Sequence, residues 1–162
     1  MRAALIILAL ATAQPVGAWE FSPSPVCTLR HEGSEGDVTL TWDPLRDHAY
    51  AITVTRNSAW VDGPVFAISF QGNRGLTIST QRHVLSEDRT SLTVTDQGFG
   101  NVLDGLEFND RAVADLGGSQ VTFGLEDAAG PVRDFRACTE AAVASLQPEG
   151  SRSVSAASPS PA

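Results

Sequence analysis

Between Val38 and Leu125 the chain alternates apolar and polar residues in short runs separated by turn formers. A period of two belongs to strands with one buried face, and no other feature of this sequence restricts its fold as strongly. Val38-Thr39-Leu40-Thr41-Trp42 is the first run, closed by Asp43-Pro44. Ala51–Arg56 sets Ile52 and Val54 on one face and Thr53 and Thr55 on the other. Val65–Phe70 follows the breaker Asp62-Gly63-Pro64, and Leu76–Thr80 follows the turn at Gly72-Asn73-Arg74-Gly75. His83–Leu85 and Ser91–Thr95 flank the polar turn Ser86–Arg89, and Ala112–Leu116 and Gln120–Leu125 flank Gly117-Gly118. Both pairs read as hairpins. Eight short strands at near-regular spacing predict a mainly β fold, an antiparallel sandwich or small barrel, over a parallel α/β one.

One helix is expected near the C-terminal end. Gly130-Pro131 offers a start with proline in the first turn, Val132, Phe135, Cys138, Ala142 and Leu146 form one apolar stripe, and Pro148 and Gly150 end it. From residue 148 to 162 the chain is small and polar, the composition of a disordered tail.

The first 18 residues predict export. Arg2 precedes the apolar run Ala3–Ala13, and Val16-Gly17-Ala18 places small residues where a signal peptidase cuts. The run is shorter than the roughly 20 apolar residues that a bilayer-crossing helix needs. Cleavage after Ala18 would leave Trp19 first, and the expected layout is a signal peptide over 1–18, one β-rich domain over 19–147 and the tail. No membrane insertion is expected after cleavage. In an oxidising compartment the lone pair Cys27 and Cys138 is most simply one disulfide, since C-x-x-C spacing is missing. The expected localisation is periplasmic or secreted.

Charge narrows the partners. Beyond residue 18 there are 10 arginines, no lysine and 19 acidic residues, a formal charge of 10 − 19 = −9. Such a surface repels nucleic acid, whose binding rests on cations neutralising phosphates. A P-loop needs a lysine and so cannot exist here.

Motifs for catalysis are sparse. His31, His48 and His83 have no metal-ligand spacing, and the G-x-S-x-G elbow is missing. The stretch Asp96–Asp110, DQGFGNVLDGLEFND, collects Asp96, Asp104 and Glu107 among glycines, as oxygen-rich cation loops do, without EF-hand order. The alternative reading of it is a connector in which Asn101 caps one helical turn burying Val102, Leu103 and Leu106. Trp60, in a strand-to-strand connection, and Phe99, between two glycines, are candidate ligand-binding aromatics. Folding back over the core is the competing reading for Trp60.

Four stretches together, WEFSPSPVCTL, GPVFAISFQGNRGLTIST, LTVTDQGFGNVLDGLEFN and VRDFRACT, resemble a group of short, exported, uncharacterised bacterial proteins sometimes labelled as the helicase component of excinuclease ABC. The resemblance runs from Trp19 to about Thr139 and implies no catalytic residues. That label implies an ATP-driven DNA-repair enzyme, from which this chain departs in length, charge and lack of a P-loop lysine. The residues together lead to a non-enzymatic periplasmic or secreted binding or accessory protein, with no cofactor and with a protein, a peptide or an envelope glycan as partner. The alternative is a small hydrolase of cell-envelope material that uses carboxylates as acid and base.

Overall fold

A computed structural model describes residues 17–146. The expected signal peptide lies outside the described residues except for Gly17 and Ala18, and the expected tail, with Pro148 and Gly150, lies wholly outside them. Ten strands form two antiparallel sheets among the described residues. The first sheet holds β1 (Trp19–Ser22), β2 (Cys27–Glu32), β3 (Gly36–Trp42), β4 (Tyr50–Arg56), β7 (His83–Leu85) and β8 (Ser91–Asp96), in the order β1-β2-β3-β4-β8-β7. The second holds β5 (Phe66–Gln71), β6 (Leu76–Thr80), β9 (Arg111–Leu116) and β10 (Ser119–Gly124), in the order β10-β9-β5-β6. The sheets stay open, with β1 and β7 at the edges of one and β10 and β6 at the edges of the other, so the sandwich reading holds and the barrel does not.

Alternation decides which side chains meet inside. Leu29, Leu40, Val54 and Leu92 from the first sheet and Phe66, Phe70, Ala114 and Val121 from the second are all buried in one core. The outward faces carry hydroxyl pairs across strands, Thr53 with Thr93 at 2.9 Å and Ser69 with Thr77 at 3.0 Å. Such cross-strand pairs hold register where no apolar burial does. The β9–β10 hairpin turns on Gly117 and Gly118, with φ of 60° and 82°. Two successive positive φ angles make the tight turn that matches strand twist, and glycine reaches them without steric cost.

Two strands beyond the eight expected are β1 and β2. Pro23 and Pro25 interrupt the alternation between them, and His31 occupies an inward position where an apolar residue would have marked the strand. His31 is 5% exposed, stacked on Trp19 and edge-on to Phe123.

Two helices cover the core. α1 (Gly100–Phe108) is longer than the single turn expected, and Asn101 lies inside it rather than capping it. Its N-cap is Phe99, which offers no side-chain cap. Val102, Leu103 and Leu106 are buried as expected, together with Gly105 against the face of Phe70. α2 (Ala129–Leu146) buries Val132, Phe135 and Thr139, packs on β1, β2 and α1, and ends with Leu146 exposed. The apolar stripe therefore fades along its last turns. Cys138 on α2 bonds to Cys27 on β2, with Cα atoms 6.1 Å apart, closing a separation of 111 residues. Neither described helix is long and apolar enough to cross a membrane.

Candidate functional site

A cleft of about 430 Å³ is lined by residues of both the six-stranded and the four-stranded sheet. Ligand pockets commonly hold about 300–1,000 Å³. Ile52 from β4 and Val94 from β8 form one wall, and Phe66 and Ile68 from β5 with Ile78 from β6 form the other. All five are inward positions of their strands, so the alternation that builds the core also makes this cleft apolar. It stays open because β6 is an edge strand and Ile78 is only partly covered.

Polar groups gather at the mouth. The chain passes from β6 to β7, and so from one sheet to the other, through Gln81 and Arg82. Arg82 reaches Asp96 at the end of β8, Nη2 to Oδ2 at 2.7 Å, and its backbone N–H donates to Thr80 Oγ1 at 3.1 Å. The other Asp96 oxygen, Oδ1, accepts the Gln97 N–H at 2.7 Å. Gly98, Phe99, Gly100, Asn101 and Val102 complete the rim, so α1 begins at the cleft. The first helical bond runs from Leu103 N–H to the Phe99 carbonyl at 2.8 Å. The amides of Gly100, Asn101 and Val102 thus precede the helical ladder, and no acidic residue stands in the first turn.

The aromatic residues expected to recognise a partner are core residues. Trp60 is 1% exposed. Its connection crosses from β4 in one sheet to β5 in the other, and the indole fills the end of the sandwich beneath that crossing, edge-on to Phe66 at 6.3 Å with the Arg56 guanidinium 5.0 Å above it. Arg89 fastens the crossing. Its Nε and Nη2 donate to the Trp60 carbonyl, and its own carbonyl accepts the Trp60 N–H at 2.8 Å. Phe99 is buried too, packed 5.5 Å from Tyr50, and only its edge of the cleft faces inward space. Trp60 is thereby withdrawn from recognition, whereas Phe99, though buried, lines the cleft.

The candidate cation loop, set beside a plain connector in the sequence, does not assemble among the described residues. Asp104 and Glu107 come together on α1, but Arg136 from α2 lies between them, 2.5 Å from Asp104 and 3.4 Å from Glu107, while Arg133 reaches Glu107 at 3.4 Å. Asp96 does not join them and pairs with Arg82 instead. Two arginines supply the positive charge that a bound cation would have brought, and among the described residues no three ligating side chains are grouped for a metal. These acids dock one helix on the other.

The cleft itself is not legible in the sequence. Its walls read as ordinary strand faces, and only the pairing order, which leaves β6 and β7 at the sheet edges, opens them. Comparison with family models, curated proteins and solved structures finds no match.

Proposed function

We propose that this chain is a non-catalytic binding protein of the periplasm or the extracellular space, and that its binding site is the inter-sheet cleft. The observation that carries this reading is a cavity of ligand size whose walls are mostly apolar and whose lining adds Ser79, Thr80, Arg82, Asp96 and Asn101 as polar residues. An amphiphilic small molecule fits such a site better than the protein, peptide or glycan partner expected from sequence, since the aromatics on which those partners rested are buried. The disulfide supports the compartment, because such bonds persist where the surroundings oxidise. Against hydrolysis, the cleft lining holds a single carboxylate, Asp96, already engaged by Arg82, whereas glycoside hydrolysis uses a facing pair.

Titration with the neutral fluorophore N-phenyl-1-naphthylamine tests this. Saturable binding at one site is expected, weakened at least about tenfold by Ile78→Trp, whose larger ring fills the cleft from the edge strand. Absence of saturable binding, or binding indifferent to Ile78→Trp, overturns it.

A further inference from the structure

We infer that the ligand is a single-chain amphiphile ending in a carboxylate, with its chain between the sheets and its head at the junction of Arg82 and the start of α1. This inference rests on the cleft being the binding site and adds the chemistry of its occupant.

The walls set the chain. Ile52, Ile68, Ile78 and Val94 are branched aliphatic side chains without a hydrogen-bonding atom, so that part of the cleft has nothing to offer a sugar or a peptide bond, and the hydroxyls in the lining are those of Ser79 and Thr80 on β6. A polar group buried there would lose its water without compensation. A cleft of about 430 Å³ belongs to the range for one small molecule, too little for a lipid with two long chains.

The rim sets the head. Three amides at the start of α1 lack helical partners and have no side-chain cap among the described residues, and a helix start carries roughly half a positive charge. Arg82 stands at the same rim, with 66% of its side chain exposed. Its pairing with Asp96 occupies one of the five N–H donors of a guanidinium, so a second carboxylate can be accepted without breaking the first contact. Asp96 is the one negative group lining the cleft, and both its oxygens are already bonded, Oδ1 to Gln97 N–H and Oδ2 to Arg82. An ammonium head would meet Arg82 and the positive helix end, with only the remaining lone pairs of that already paired carboxylate to accept from it. Arg82 and Asp96 cancel in formal charge, so the surplus of N–H donors, from the rest of the Arg82 guanidinium and the three helix amides, is what selects a carboxylate.

Displacement of N-phenyl-1-naphthylamine by decanoate, decanol and decylamine at neutral pH tests the inference on the full exported chain. Decanoate is expected to compete at least about tenfold more strongly than decanol, and decylamine no better than decanol. Arg82→Gln should bring the decanoate-to-decanol ratio toward one. Asn101→Asp should do the same, since it places an acid at the exposed first turn of α1, where acids favour the helix and the fold is kept. Equal competition by decanoate and decanol, or a ratio unmoved in both variants, overturns the carboxylate assignment while leaving the cleft as a binding site. Failure of the fluorophore to bind saturably overturns both.

Discussion

Trp19 lies flat on His31, ring centroids 4.8 Å apart and planes inclined by 18°, while its Nε1–H donates to the Gly124 carbonyl in the other sheet at 2.9 Å. The first described strand is thus tied to both sheets through one side chain. Burial lowers the His31 pKa from its ordinary 6.5, against weaker opposing effects of the Ala18 backbone and of the charges of Asp37 and Glu126. The folded protein then binds this proton less readily than the unfolded chain. Stability is full above pH 6.5 and falls as the pH drops through the window below it, toward the lowered folded value. Urea midpoints measured across that window should decline, and His31→Phe, which keeps the stack, should remove this part of the decline. A chain beginning at Trp19 loses the Ala18 carbonyl and gains an ammonium on the residue paired with His31, and both changes push in the same direction.

Trp60→Ala should cost about 3–5 kcal/mol of stability, the usual loss for truncating a fully buried aromatic. Chemical denaturation reads it directly. A loss under about 1 kcal/mol would place the indole outside the core and revive a recognition role.

Gly105→Ala should destabilise the fold by about 1–3 kcal/mol, although alanine is the better helix former by about 1 kcal/mol. A Cβ at this position of α1 would enter the Phe70 ring, which cannot retreat inside the core. Thermal unfolding of the variant tests it, and a raised Tm would contradict the packing.

Cys138→Ala should cost about 2–5 kcal/mol, since it releases a loop of 111 residues in the unfolded chain. If the chain is processed as expected, its intact mass from an expressing cell's envelope should show a start at Trp19 and a gain of two hydrogen atoms on reduction. A mass that retains residues 1–18 contradicts the expected processing.

Neither ATP nor duplex DNA should bind at physiological salt. Calorimetry and a mobility shift check this; micromolar binding of DNA dependent on ATP would restore the helicase label against a formal charge of −8 and the lack of any lysine.

The strands from β3 onward are legible in the sequence because apolar side chains mostly alternate with polar ones, as in Ile52-Thr53-Val54-Thr55, with exceptions such as the outward Val84 and the buried Ser119. β2 is hidden because His31 fills an inward position, which only its stacking on Trp19 makes tolerable. Cys27 and Cys138 are legible because a lone pair admits one pairing. The acids Asp104 and Glu107 mislead because a local run of oxygens resembles a cation loop, and the arginines that answer them come from α2, about 30 residues on. Trp60 and Phe99 mislead because a connection carries no alternation, so nothing local tells whether it runs over the core or away from it. The cleft depends on strand order across the whole sheet, a relation no segment contains.

The bond between Cys27 and Cys138 turns most of the domain into a covalent ring, entered at β2 and left at α2. Proteases cut at exposed loop tips, and the link from β3 to β4 offers one, with Leu45 90% exposed. A nick there opens the ring without dividing it. Both pieces stay on one molecule, held by a bond that starts opposite Trp42, where the nicked link leaves β3, and they part only when a reductant arrives.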